Sequence, residues 1–236
     1  MTITAVVFDL DGVLIDSEPI WDRVRRDYVE AAGGTWREDS QEVMMGMSTQ
    51  EWSAYLSRDL GVGRPPGEVA SAVIAGVAAV YGEQPPLFPG AVAAVRSLAG
   101  AYLLGLASSS PRDLIGIVLR AADLASTFWA TVSTEEMARG KPAPDVYLEA
   151  ARRLGVEAAR CAAVEDSANG LRAAAAAGMR VVAIPNPRYP PDEDVLALAD
   201  VTLPKVAALG PDVIRGLDVV LNGENADGSR GHRPHG

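Results

Sequence analysis

Cysteine is nearly absent from this chain: Cys161 is the only one among 236 residues, so no intramolecular disulfide can staple the fold. That composition suits a reducing compartment, and the expectation is a cytoplasmic protein. Histidine is missing where it would count, because His232 and His235 both fall in the polar tail "NGENADGSRGHRPHG", residues 222–236, which reads as disordered. Serine–histidine triads and the usual histidine-bearing zinc sites are thereby excluded from the folded body, and carboxylates are left to do any acid–base work. Positive charge is in deficit, with 21 Lys and Arg against 31 Asp and Glu and a net charge of −10. A nucleic-acid backbone or an anionic membrane would demand a basic face, so neither is an expected partner, although a local phosphate site remains compatible with this balance. Long apolar runs are lacking too: "VASAVIAGVAAVYG" (Val69 to Gly82) is shorter than the roughly 20 residues a membrane span needs. Asp9 interrupts the N-terminal apolar run before it could act as a signal sequence.

What is present is a hydrophobic content of 48%, enough at this length to bury a substantial core. Apolar runs of strand length, "ITAVVF", "AYLLGLA", "CAAV", "RVVAI" and a short last "ADVTL", alternate with helical patterns. Such alternation predicts an α/β fold, a doubly wound parallel sheet covered by helices. One region breaks the alternation. Ile20, Val24 and Tyr28, then Trp52, Tyr55 and Leu56, then Val69, Val73, Val77 and Val80 recur at helical spacing with no strand among them. The spacing predicts an all-helical insert over 17–84 in a Rossmann-like core formed by 1–16 and 85–221, with "LIDSEP" leading out and "GEQPPLFPG" leading back.

Open parallel sheets bind ligands outside the carboxyl ends of their strands, and three strand ends here carry polar chemistry. The first is "FDLDG", the second "LASSSPRD" and the third "AVEDSANG". In the second, Ser110, Pro111 and Asp113 read as an N-cap, a first helical residue and a first-turn acid. Ser108 and Ser109 are left over, a hydroxyl and backbone amides that can cradle an anion of phosphate size. In the third, Asp166 or Ser167 caps the helix "LRAAAAAG", which Gly178 closes. Asp9, Asp11, Glu165 and Asp166 would repel one another at neighbouring strand ends unless a cation lay between them, and hard oxygen ligands suit Mg²⁺. "ARGKPAPD" adds Lys141, whose only fellow lysine is Lys205, stiffened by Pro142 and Pro144 and suited to a phosphoryl oxygen or a carboxylate.

Together these segments resemble the haloacid dehalogenase superfamily, in the subgroup with a helical cap that includes beta-phosphoglucomutase and sugar-phosphate phosphatases. "DLDGVLIDSEP", "LASSS", "GKPAPD" and "VEDSANG" resemble its four motifs in order, and the likeness runs from Thr2 to about Leu217. The resemblance implies a Mg²⁺-dependent hydrolase of small phosphorylated substrates, acting as a monomer or weak dimer. It implies that Asp9 is the nucleophile and becomes an aspartyl phosphate, that Asp11 is the acid and base, and that Gly12 frees the turn. Mg²⁺ would lie on Asp9, the Asp11 carbonyl and Asp166, with Glu165 in or near the shell, while Ser108, helped by Ser109, and Lys141 hold the phosphoryl oxygens. Trp21, Met47 and Ser48 are expected at the substrate, in or near the loop "MMGMS", where Gly46 can bend and Met45 and Met47 can adapt.

Within the family, halide-removing members lack the second aspartate, which is present here as Asp11. Phosphonate-cleaving members use a cap lysine, and residues 17–84 contain none. A sugar-phosphate mutase of the beta-phosphoglucomutase type would place a histidine where Trp21 stands and an arginine that "GMSTQEW" lacks. A phosphatase is therefore expected. A phospho-receiver or a catalytically silent Mg²⁺-binding regulator also groups acids, a hydroxyl and a lysine, but it would carry no helical insert after the first strand.

Overall fold

Strands form where β-branched and small apolar residues run without a break, and the central runs are buried on both faces, as parallel strands require. The computed structural model describes residues 2–218 apart from 45, 46 and 189; the tail 222–236 and its two histidines lie outside the described residues. The strands are β1 (Ala5–Phe8), β2 (Leu103–Ser108), β3 (Ala130–Ser133), β4 (Cys161–Glu165), β5 (Arg180–Ala183) and β6 (Val201–Thr202), all parallel, in the order β3-β2-β1-β4-β5-β6. This is the expected α/β doubly wound sheet with one strand more than the sequence reading contained, since β3 adds an edge. β1 lies between β2 and β4, with Val6 opposite Leu104 on one side and Ala162 on the other. The chain therefore turns from one half of the sheet to the other at its centre, the position where such sheets bind ligands.

Alternation along the strands sorts the two faces. Ala5, Val7, Ala107, Val132, Cys161, Ala163, Val181 and Ala183 point to one side and pack with Tyr147, Ala150, Ala151, Leu171, Ala173 and Ala174. Those partners come from α7 (Asp145–Leu154) and α8 (Ala168–Ala176). The small side chains let both helices sit close against the sheet. The other face is the larger-residue side: Phe8 meets Phe128 edge to face at 6.0 Å, and α5 (Ala91–Ala99) and α6 (Arg112–Ala121) pack against β2 and β3.

The chain divides into two compact units, one formed by Met1–Ile15 and Leu87–Gly236, the other by Asp16–Pro86. The second unit is helical: α1 (Glu18–Ala31), α2 (Ser40–Met44), α3 (Thr49–Arg58) and α4 (Pro66–Glu83). Its core gathers Val29, Met44, Trp52, Leu56, Leu60, Val62, Val69 and Val73. Between α8 and β5, Gly178 takes φ +75°, the left-handed turn that ends a helix. A short α9 (Glu193–Leu196) precedes β6. No helix among the described residues is long and apolar enough to cross a membrane.

Candidate active site

Three neighbouring strands, β2, β1 and β4, end together, and each delivers a polar side chain at the same level. Asp9 follows β1 directly, its amide donating to the Val164 carbonyl at 2.9 Å, while Ser108 closes β2 and Glu165 closes β4. All three residues are buried. After Asp9 the chain turns sharply: the Gly12 amide donates to the Ile15 carbonyl at 2.8 Å and Gly12 holds φ +77°. A side chain at Gly12 is excluded on two counts. The left-handed backbone disfavours it, and its Cβ would stand 1.9 Å from Asp166 Oδ2.

Lys141 is the hub of the site. Its buried ammonium donates at 2.6 Å to Asp9 Oδ1, at 2.6 Å to Glu165 Oε1 and at 3.1 Å to the Ala107 carbonyl. With the Tyr147 hydroxyl at 3.4 Å as a fourth acceptor, its three donors are fully engaged. Burial works to lower its pKa, but the charges and hydrogen bonds of Asp9 and Glu165 outweigh burial and raise it, so the ammonium stays charged. Glu165 is held just as completely. Oε1 also accepts from the Tyr147 hydroxyl at 2.7 Å, and Oε2 accepts from the amides of Asp166 and Ser167 and from Ser167 Oγ. Its carboxylate lies so close to α8 that a Cβ on Gly170 would meet it at 1.8 Å. Burial pushes the Tyr147 phenol well above its usual range, which keeps it a donor.

Asp11 has a different environment. Its Oδ2 accepts from Ser110 Oγ at 2.7 Å and from Ser108 Oγ at 3.3 Å, whereas Oδ1 is buried with no hydrogen-bond partner. Ser108 Oγ in turn accepts from the Ser110 amide at 2.9 Å, and Ser133 Oγ donates to the Ser110 carbonyl at 2.8 Å. This corrects the reading of Ser110 as a helix cap: α6 starts at Arg112, its cap position is Pro111, and the serine hydroxyl is spent on Asp11. Ser109 is exposed between these two buried serines. Ser167, by contrast, does cap α8, accepting from the Gly170 amide at 3.1 Å.

Carboxylate oxygens of Asp9, Glu165 and Asp166 lie within 4.8 Å of one another. Burial, then the neighbouring carboxylates, push Asp9 up to about 8 against the pull of Lys141, and burial likewise raises Asp166 well above the carboxylate range. Acids raised in this way by one another are short of positive charge, and the oxygen donor set fits a hard divalent cation. The site can hold a metal.

The structure thus gathers Asp9, Asp11, Gly12, Ser108, Lys141, Glu165 and Asp166 in the sheet unit, and adds Ser110, which the sequence reading took for a cap, with Ser133 and Tyr147, which it passed over. Trp21, Met47 and Ser48 belong to the helical unit. Trp21 meets Trp52 edge on at 6.0 Å, and Met47 packs on the core of that unit. Ser48 Oγ accepts from the Glu51 amide and donates to the Glu51 carboxylate, closing a capping box on α3. Met45 and Gly46 lie outside the described residues.

Comparison with known proteins agrees with this architecture. The model of the haloacid dehalogenase-like hydrolases matches residues 3–178. Hexitol phosphatase B of Escherichia coli K12 is 38% identical over 213 residues, covering 88% of this chain and 94% of its own. A probable pseudouridine-5'-phosphatase of Drosophila melanogaster is 34% identical over 193 residues, 79% of this chain and 83% of its own. Among solved structures, CbbY of Rhodobacter sphaeroides in complex with phosphate superposes with a TM-score of 0.80 at 28% identity, over 91% of this chain and 100% of that one. The matched span contains every strand-end residue of the site, from Asp9 to Asp166, and the relatives at 38% and 34% identity are phosphatases by name. The chain belongs to the haloacid dehalogenase-like hydrolases and is a phosphoric monoester hydrolase of that family.

Proposed function

We propose that the enzyme hydrolyses a small phosphomonoester, a sugar phosphate in kind, with Mg²⁺ and by way of a phosphoryl group carried on Asp9. The observation that carries this reading is the pair of carboxylates in opposed surroundings. Asp9 is bound to an ammonium, while Asp11 is held by two serines through one oxygen and has the other unpartnered. Such a division separates a nucleophile, which a bound cation beside Lys141 would keep ionised against the upward push of burial, from a group that carries a proton. The names hexitol phosphatase and pseudouridine-5'-phosphatase support a small phosphorylated substrate.

In the first half-reaction an Asp9 oxygen attacks phosphorus, the bond from phosphorus to the ester oxygen breaks, and that oxygen takes a proton from Asp11 Oδ1. In the second, water attacks the phosphorus of the Asp9 acyl phosphate, Asp11 takes the proton of the water, and inorganic phosphate leaves the restored carboxylate. Lys141 meets the phosphoryl oxygens by giving up its longer bonds, the 3.1 Å contact to the Ala107 carbonyl and the 3.4 Å contact to the Tyr147 hydroxyl. Ser108 does the same with its 3.3 Å bond to Asp11, and Ser109 borders the same phosphoryl site. Asp9, the Asp11 carbonyl and Asp166 would hold Mg²⁺, with Glu165 behind them anchoring Lys141. Bound there, the ion supplies charge compensation to the phosphoryl group. Trp21, Met47 and Ser48 of the helical unit contribute to the choice of substrate, and the enzyme works in the cytoplasm as a monomer or weak dimer.

The test is phosphate release from a panel of small phosphomonoesters with Mg²⁺, beta-glucose 1-phosphate included, with glucose 6-phosphate followed in parallel. Release from a few related sugar phosphates is expected. Isomer interconversion without release would instead identify a mutase. Chelation of the metal should silence the enzyme, and Ca²⁺ should restore it poorly, because looser coordination misplaces the attacking carboxylate.

A further inference from the structure

Ser133 closes β3, the edge strand of the sheet unit, and lies fully buried opposite Ser108 in the sheet register. Each of its polar atoms on this side has a fixed partner. Its Oγ accepts from the Glu135 amide at 3.2 Å and donates at 2.8 Å to the carbonyl of Ser110, 23 residues back along the chain. A carbonyl can only accept, so the single proton of the hydroxyl is committed there. The Ser133 amide donates to Glu136 Oε1 at 3.0 Å, and Glu136 Oε2 accepts from Arg153 of α7 at 2.8 Å. Arg112, at the start of α6, also donates to Glu136, but its side chain is 57% exposed and a pair so open to water holds little. The buried bond from Ser133 is the one that fastens the loop.

What it fastens is Ser110, which is gripped through both of its peptide groups: the amide donates to Ser108 Oγ at 2.9 Å and the carbonyl receives the Ser133 proton. With both groups held, the side chain has one direction, and its hydroxyl donates to Asp11 Oδ2 at 2.7 Å. Ser108 adds a weaker bond to the same oxygen, so Oδ2 is taken and Oδ1 is left without a partner. Two plainer roles for Ser133 explain less. It caps the short turn Thr134–Glu136, but a cap uses the oxygen as an acceptor and does not account for the proton. Packing at a buried strand end is served by a purely apolar side chain, which brings no hydroxyl to be satisfied.

We propose that Ser133 is a positioning residue for proton transfer: through the Ser110 carbonyl it aims the Ser110 hydroxyl at Asp11 Oδ2, and so leaves Asp11 Oδ1 to give its proton to the ester oxygen. That oxygen takes the proton as its bond to phosphorus breaks and the bond from Asp9 to phosphorus forms. The inference rests on the reading of Asp11 as the proton carrier.

The test follows release of the leaving group within the first turnover, at saturating ester and with Mg²⁺, for a sugar phosphate and for p-nitrophenyl phosphate. An alcohol needs a proton in order to leave and a nitrophenolate does not, so a misplaced acid slows the sugar phosphate alone. In Ser133→Ala the ratio of the sugar phosphate rate to the nitrophenyl rate should fall by about 10-fold, the scale of a shifted catalytic group. Ser133→Thr, which keeps the hydroxyl, should restore the ratio. Ser133→Cys, which fills the same space with a weak donor, carries the comparison if Ser133→Ala fails to fold by circular dichroism. Equal slowing of both esters, the mark of a general loosening, overturns the inference, as does an unchanged ratio. Asp11→Asn measured alongside separates the two failures. A collapsed ratio in Asp11→Asn with an unchanged one in Ser133→Ala leaves the proton carrier standing and removes Ser133 alone; an unchanged ratio in Asp11→Asn, or release from neither ester by the unaltered enzyme, removes both.

Discussion

The hydroxyl of Ser110 sits where local pattern puts a helix cap, and the acid it serves is 99 residues away in sequence. Short-range preference lost here because a capping bond to a neutral amide competes with a bond to a carboxylate, and hydrogen bonds to charged groups are the stronger. Ser110→Ala should lower kcat by about 10–100-fold with little change in KM, since it loosens the proton carrier and not the phosphoryl site. Steady-state kinetics on one hydrolysed ester would show an equal rise in KM if that assignment were mistaken. Tyr147 escaped the motif reading for a related reason: it recurs at helical spacing on α7 and reads as core, and only the fold brings its hydroxyl to Glu165. Tyr147→Phe should destabilise the protein by about 1.5–3 kcal/mol in urea unfolding, because the bond goes to a buried charge. Gly12 was legible as a turn, but the reason no other residue fits, the Asp166 carboxylate against its Cα, needed the structure. Gly12→Ala should abolish turnover while the protein still folds, as judged by circular dichroism.

Among the elements, β1, β2, β4, β5 and β6 were visible as apolar runs, and β3 was not. Its four residues, Ala130 to Ser133, contain one large apolar side chain, Val132, and follow the exposed Trp129. An edge strand needs apolar character on fewer positions, so its pattern is weaker than that of a central strand. The short α2 and α9 were unread as well, being too brief to show a period. The N-terminus of α8 shows how one element serves both stability and chemistry: Ser167 caps the helix and also donates to Glu165. Ser167→Ala should cost about 1 kcal/mol, a fall in melting temperature of roughly 2–4 °C for a protein of this size.

At the scale of the whole molecule, an excess of acid surrounds a site whose only buried cation is Lys141 among the described residues of the sheet unit. Asp9, pushed up to about 8 by burial and by its acidic neighbours, has a folded pKa above its ordinary 3.8, and Asp166 moves in the same direction. Stability from these groups is therefore fully present below about pH 4 and is lost as pH rises through about 8. Lys141, raised from its ordinary value, does not titrate in that window. Mg²⁺ binds the ionised carboxylates, so it should raise the melting temperature more at pH 8.5 than at pH 6, and calorimetry at pH 6–7 should record proton release on binding. Equal stabilisation at both pH values would show that these acids are not the ligands. The polar strand ends and the rare lysine were readable in advance; the serine and tyrosine network was not, because hydrogen bonds across the sheet leave no periodic trace.

The most direct measurement is to mix the enzyme with a hydrolysed phosphomonoester and Mg²⁺, quench in acid within one turnover, and examine the peptide containing Val6 to Pro19 by mass spectrometry. A gain of one phosphoryl group on Asp9, absent in Asp9→Asn, is predicted. Turnover with no phosphorylated peptide at any quench time, or full activity in Asp9→Asn, would contradict the account.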